Sequence, residues 1–300
     1  MPDDLAPRGF YEGLTSRHLL PGWARGEQPS GPKSEMHVHV WRAADARAAL
    51  QDASHFVGTD VAERRNLIMV NPAPGNTYAT TRNIVAAYQM IQPGETARSH
   101  RHTPAALRLV LDAADDVYTV VDGKRVDMTP GDVVLTPSWC WHGHANDGNE
   151  TAFWLDFLDV PFVRHVEAML FEHHPDAFQR PRERNSTFRI PLATVLTDRN
   201  GMRSVEIAKD VMPTIGLHAM RLPSGAATER LHETANNLYA VVTGTVRSTI
   251  DGQTEQVLER GDVLAVPLWH GHVLHGVADA TLLRVTDEPV MAKFGLLRRT

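Results

Sequence analysis

A single cysteine, Cys140, stands in 300 residues, so no disulfide forms within the chain and the usage fits a reducing cytosol. No apolar run approaches the roughly 18 residues a membrane-spanning helix needs. The opening MPDDLAPRGF lacks the basic-then-apolar order of a secretory signal, and the expected location is cytoplasmic. Excess positive charge is missing too. The formal net charge is -6, which offers no footprint for nucleic acid or an anionic membrane. What remains is an ordinary soluble composition, 42% hydrophobic and 22% charged, long enough for one large or two ordinary domains.

Histidine, by contrast, is abundant: sixteen are present, clustered around 100–102, 142–144 and 270–275. The densest set lies within residues 93–146. There PGETARSHRHT places His100 and His102 six and eight residues after Gly94, and GDVVLTPSWCWHGHAN places His142 eleven after Gly131. Residues two apart on a strand share a face, so His100 and His102 aim at one point. Cys140, His142 and His144 share a parity, so a second strand brings another imidazole to that point. Neutral imidazole suits iron, copper, zinc or nickel, and three histidines leave coordination positions open for substrate and oxygen. No carboxylate follows the histidine pair in HRHTPAALRLVL. A neutral ligand set leaves a divalent metal its full double charge and favours an anionic, chelating substrate. Arg108 has the parity of the pair, and its planar fork matches a carboxylate.

Along the chain, Pro2, Pro7, Pro21, Pro29 and Pro32 make residues 1–40 an expected extended arm. The alanine-rich run 42–56 predicts a short helix, and 66–70 and 84–91 predict strands. Turns at Asp122-Gly123, Pro130-Gly131 and Asn146-Asp147-Gly148 then set the rhythm of an antiparallel barrel or sandwich. Val163, Val166, Met169 and Leu170 recur at helical spacing and predict a linking helix over 161–179, with a polar loop over 180–187. The second half repeats the first: Gly131-Asp132-Val133 and Pro137-x-Trp139 recur as Gly261-Asp262-Val263 and Pro267-x-Trp269, displaced by 130 residues. His232-Glu233-Thr234 falls at the HxH position of this second copy and His272 at that of His142. Two potential ligands make an expected empty site. The domain reading is an arm and helix over 1–65, a metal-binding domain over 66–160, a linker helix and loop over 161–189, and a second domain over 190–300.

The order of glycine turn, HxH strand, hairpin, glycine turn and His strand resembles the cupin fold. It implies an all-β bicupin, two tandem β-barrel (jelly-roll) domains with short helices in the N-terminal region and linker. PGETARSHRHTPAALR, YTVVDGKRVDMTPGDVVLTPSWCWHGH and FWLDFLDVPFV resemble the gentisate 1,2-dioxygenase family, with its salicylate, 1-hydroxy-2-naphthoate and 5-nitrosalicylate members. The resemblance implies one Fe(II) per subunit held by His100, His102 and His142. It implies a small aromatic acid and O2 as reactants, ring opening between the carboxylate-bearing and hydroxyl-bearing carbons, and a homo-oligomer, expected to be a tetramer. His144 is the candidate hydrogen-bond or proton-transfer residue. Gln89 and Arg108 match positions that contact the acid, and Arg64, Arg65 or Arg82 is the expected further carboxylate clamp. Trp154 and Asp156 match a block beside the ring pocket. Phe157 replaces the glycine of the family's WLDGLDIP and is expected to add bulk there, which points to 5-nitrosalicylate or a related salicylate ahead of gentisate. Two other readings share the fold: a non-catalytic bicupin that binds a small acid, and another metal-dependent cupin enzyme such as an isomerase or oxalate-type decarboxylase.

Overall fold

Short β-rich runs between glycine turns form strands along most of the chain, and the helices are few and short. The computed structural model describes residues 9–24, 29–58, 61–62, 64–184, 187–197 and 201–300. They fall into two units, residues 1–33 and 34–300. Of the arm expected over 1–40, Pro2 and Pro7 lie outside the described residues. Among its described residues the first unit carries helix α1 (Phe10–Thr15) and a 3-10 turn (Gly22–Ala24), with Phe10, Leu19, Leu20 and Trp23 exposed.

The second unit opens with β1 (His39–Trp41) and helix α2 (Ala43–Ala53), the alanine-rich helix predicted from the sequence. Nine strands follow: β2 (Arg65–Ile68), β3 (Val85–Ile91), β4 (Thr96–His102), β5 (Ala106–Asp112), β6 (Val117–Val121), β7 (Lys124–Asp127), β8 (Asp132–Thr136), β9 (His142–Asn146) and β10 (Ala152–Leu158). Helix α3 (Val160–His165) is followed by β11 (Phe171–His173), β12 (Glu183–Arg184), β13 (Arg189–Pro191) and helix α4 (Leu192–Val195). These build one barrel from two sheets, ordered β13-β8-β5-β10-β3-β2 and β11-β4-β9-β6-β7-β12. The second barrel uses β14 (Arg203–Ile207), β15 (Gly216–Leu222), β16 (Asn237–Thr243), β17 (Val246–Ile250), β18 (Thr254–Leu258), β19 (Val263–Val266), β20 (His272–Gly276) and β21 (Ala280–Thr286), and ends in helix α5 (Glu288–Lys293). Its sheets run β1-β19-β16-β21-β15-β14 and β18-β17-β20.

The repeat is visible in the backbone itself. Gly131 and Gly261 both have φ +85°, a conformation that glycine adopts without steric penalty. Trp139 and Trp269 also share a left-handed turn, at +65° and +64°. The copies exchange their leading strands: β1 pairs with β19, the GDV strand of the second copy, and β13 pairs with β8, the GDV strand of the first.

Period-two alternation assigns the two faces of the first barrel's main sheet. One face turns inward. On the other, Tyr88, Leu107, Leu109, Val133, Leu155 and Phe157 share one buried cluster with Leu217, Leu238, Ala240, Val263, Leu283 and Val285 of the second barrel. Burying a side chain of this size stabilises by roughly 1.5–3 kcal/mol, so this shared layer is the principal joint between the copies. Phe157 therefore packs between the barrels, one residue out of phase with Asp156, and adds no bulk to the site. That expectation is corrected.

The linking helix over 161–179 is also corrected. It stops at His165, because Glu167 adopts φ +57° and the chain turns back, with Ala168 N donating to Val163 O at 3.0 Å. Val166, Met169 and Leu170 are exposed, and β11 instead lies antiparallel to β4 across from His102, Arg101 and His100. The polar loop expected over 180–187 contains the short β12, which pairs parallel to β7; residues 185 and 186 lie outside the described residues.

Candidate metal centre

β4 and β9 are neighbours, and the register sets His100 opposite His142. Strand alternation turns His100, His102 and His142 to one point, where their ligand nitrogens all lie within 4.8 Å of one another and all three residues are buried. The backbone fixes their tautomers. His100 Nδ1 faces Arg98 O at 3.2 Å, His102 Nδ1 faces Pro104 O at 2.8 Å and His142 Nδ1 faces Cys140 O at 3.0 Å. A carbonyl only accepts, so each Nδ1 carries the hydrogen and Nε2 is the nitrogen of each ring able to ligate a metal. His142 Nε2 is buried without a hydrogen-bond partner. Burial, then the Arg64 charge, holds the His100 pKa down at about 3. Burial also takes His102 down to about 4 and, with Arg108 second, holds His142 well below its ordinary value. Three neutral imidazoles with converging lone pairs fit a borderline divalent metal.

Next to them lies a buried polar row. The register puts Gln89 opposite Trp154 and Arg108 opposite Asp156, all on the inward face. The Arg108 side chain, 1% exposed, donates to Thr136 Oγ1 at 2.6 Å and sits 3.4 Å from Asp156 Oδ1 in an ion pair that is not aligned as a hydrogen bond. Gln89 Nε2 donates to the other oxygen of Asp156. Burial lowers the Arg108 pKa to about 10 against the opposing pull of Asp156, so the guanidinium is charged at neutral pH. Burial raises the Asp156 carboxyl, with Arg108 the largest counterweight. His144 is buried beside Trp154, ring centroids 5.5 Å apart, and its Nδ1 lies 2.9 Å from Thr119 Oγ1. The Thr119 hydroxyl also lies 3.4 Å from Met128 Sδ, and His144 Nε2 is buried without a hydrogen-bond partner.

Buried polar atoms are almost always hydrogen-bonded. Arg64 Nε, Gln89 Oε1, His142 Nε2 and His144 Nε2 have no such partner here, Arg108 Nε and Asp156 Oδ1 meet only in their unaligned ion pair, and Arg65 Nε and Thr81 Oγ1 are the cases outside this row among the described residues. Such a set marks polar groups that a bound ligand would complete. Arg64, half-buried, belongs to it. The other two arginines are engaged elsewhere: Arg65 clamps Glu95 at 2.7 and 2.8 Å, and Arg82 pairs with Glu35 at the surface. Thr119 and Thr136 escaped the sequence reading, because a hydroxyl that orients another residue carries no motif of its own.

The second copy departs further than the sequence suggested, and by a shift of one residue. Leu231, not His232, bridges to His272 as His100 does to His142. Glu233 is buried at the place of His102, while His232 turns outward against Trp269. A one-residue slip moves every side chain of a strand to the other face. Tyr239 and Arg284 stand where Arg108 and Asp156 stand, and Leu274 replaces His144. Polar groups here satisfy one another. His272 Nε2 lies 2.7 Å from the Tyr239 hydroxyl, and Glu233 is held by Arg284 at 2.7 Å and Arg299 at 2.8 Å.

Comparison with known proteins gives the family and the fold. The cupin domain model matches residues 87–158. The chain is 30% identical to 5-aminosalicylate 1,2-dioxygenase of a Comamonas species, over 96% of this chain and 88% of that one. It belongs to the family of gentisate- and salicylate-type 1,2-dioxygenases. These ring-cleaving enzymes are oxidoreductases, and this member is a bicupin of the same build. Gentisate 1,2-dioxygenase 1 of Aquipseudomonas alcaligenes is 28% identical over 97% of this chain and 95% of its own. The crystal structure of salicylate 1,2-dioxygenase from Pseudaminobacter salicylatoxidans superposes with TM-score 0.88 and 27% identity, covering 100% of this chain and 98% of that one. Among the described residues, no helix is long and apolar enough to cross a membrane.

Proposed function

We propose that this dioxygenase opens the ring of a 5-substituted salicylate, between the carboxylate-bearing and hydroxyl-bearing carbons, with one Fe(II) per subunit held by His100, His102 and His142. The observation that carries the reading is the neutral, converging histidine trio beside a charged, fully buried Arg108. Fe(II) there supplies a path for electron density from the aromatic ring to oxygen and acidifies the substrate hydroxyl. Arg108 and Arg64 attract the carboxylate, and exclusion of water strengthens that attraction. Asp156 and Gln89 hold the Arg108 fork in place, and Trp154 gives a flat wall for the ring. His144 Nε2, a neutral acceptor, hydrogen-bonds the substrate or relays its proton. The first barrel does the chemistry and the second serves as its structural partner. A cytoplasmic homo-oligomer, with a tetramer expected, completes the reading; the exposed Phe10, Leu19, Leu20 and Trp23 support association.

For the substituent, the bulk argument for 5-nitrosalicylate goes with Phe157, which faces away. The relatives that align along nearly the whole chain are named for 5-aminosalicylate, for gentisate (the 5-hydroxy counterpart), for 1-hydroxy-2-naphthoate and for unsubstituted salicylate, so the ranking is drawn among the 5-substituted acids alone. The 5-nitrosalicylate enzyme of a Bradyrhizobium species aligns with 44% of this chain. Electron-donating 5-substituents therefore lead. Oxygen uptake by Fe(II)-loaded protein, offered salicylate and its 5-amino, 5-hydroxy and 5-nitro forms in parallel, tests this. Uptake equal to the loss of aromatic absorbance, fastest with the 5-amino or 5-hydroxy acid, is the expected result. Fastest turnover of the 5-nitro acid would reverse the ranking, and no uptake despite bound iron would leave an acid-binding bicupin.

A further inference from the structure

The strand that carries two of the three ligands is irregular. Pairing of β4 with β9 breaks between Ala97 and His100, a β-bulge of the kind that re-aims side chains beside active sites. The missing ladder is supplied from the other edge. β11 pairs with residues 100–102, Ser99 N donates to Ala177 O at 2.7 Å, and His174 N donates to Ser99 O at 2.9 Å. This strap also reaches the ligand itself. The Phe171 ring, half-exposed, stacks on the His100 imidazole with centroids 5.1 Å apart and planes 26° from parallel. One residue on, Glu172 accepts from Arg101 Nε at 2.9 Å and from its terminal nitrogen at 2.6 Å. The Arg101 guanidinium lies 4.5 Å from the ring centres of both Trp139 and Trp141, an arrangement that holds a cation by the faces of two aromatic rings.

We propose that β11 is a positioning strap: Phe171 braces the His100 ring, and the Arg101–Glu172 clip between Trp139 and Trp141 keeps Phe171 against it. The second barrel repeats the device with other chemistry. Thr234 N donates to Arg298 O, as Thr103 N donates to Leu170 O, and the residue after each carbonyl reaches a ligand position. In the first barrel that residue is Phe171, on His100; in the second it is Arg299, on Glu233. The strap braces a ligand imidazole where a metal is expected and, in the second copy, closes an ion pair on the residue at the neighbouring ligand position.

The inference rests on the three-histidine metal reading, and Co(II) loaded in place of iron separates the two. Phe171→Leu should release Co(II) to a chelator on the order of tenfold faster than the unsubstituted chain and shift its visible absorption bands, as loss of an outer partner of a ligand does. Glu172→Gln should move both readouts in the same direction by less, and Phe171→Tyr, which keeps the ring, should restore them. Unchanged release and bands in both Phe171→Leu and Glu172→Gln would overturn the strap alone, and so would a Phe171→Tyr protein that behaves like Phe171→Leu. No stoichiometric Co(II) binding by the unsubstituted chain would overturn the metal reading and the strap with it.

Discussion

Arg108 and Asp156 are each fully buried, and removing one leaves the other charge without a counterion. Breaking such a pair destabilises by about 3–5 kcal/mol, whereas replacing both with apolar groups of similar volume is often neutral. Arg108→Ala is therefore expected to lower unfolding stability in urea as well as raise the substrate KM. Arg108→Met combined with Asp156→Leu should recover most of the stability and none of the substrate affinity. Equal stability of the Arg108→Ala and unsubstituted proteins would place that ion pair in solvent. The histidines give a second residue-scale prediction. His100, His102, His142 and His144 are all held neutral in the fold by burial, His100 to about 3 and His102 to about 4. In the unfolded chain they take up protons below about 6.5. Their contribution to stability is thus complete above that value and is lost as pH falls toward the folded values, by up to about 1.4 kcal/mol per pH unit for each ring. Urea midpoints of metal-free protein should fall steadily from pH 7 to pH 5; a flat profile would contradict neutral burial.

At the scale of elements, the site depends on how closely β9 approaches β4. Gly143 lies between His142 and His144 on the outer face, where an added Cβ would run into Ser99 Oγ and lie 3.1 Å from the Ala97 carbonyl and 3.2 Å from the Phe178 ring. Gly143→Ala is expected to push the two strands apart at the ligands. Iron retention should fall at least tenfold, the loss associated with disturbed ligand support, with little change in far-UV circular dichroism. Unaltered iron binding in that variant would show that the strands yield elsewhere. The inward histidines were legible because a period of two fixes which residues share a face, and the glycine and proline turns fixed where each strand starts. The strap was not. Val163, Val166, Met169 and Leu170 mimic a helical stripe, and only the left-handed Glu167 and the open edge of β4 make the segment a strand.

For the whole molecule, the two barrels share one apolar layer and trade their leading strands, so neither is a free-standing copy. The repeat was readable from the constant displacement of GDV and PxW, and it runs further than those markers show. Asp159 Oδ1 accepts from Ala105 N ahead of Pro161, and Asp287 Oδ1 accepts from Asn236 N ahead of Pro289. The register of the second copy was not readable, because HET beside HRH looks like the same motif when the bridge to His272 is unseen. Phe157 misled for a related reason: a bulky residue in a site block reads as site bulk until the strand's parity assigns it to the joint between the barrels. The two copies thus divide into one with several buried polar atoms left without partners and one whose polar groups are paired with one another. The most direct measurement is the iron content of the anaerobically loaded chain, compared with His142→Ala. One iron per chain, falling to nearly none in His142→Ala while the fold persists, is the predicted result. Iron retained at one per chain without His142 would contradict a single centre in the first barrel.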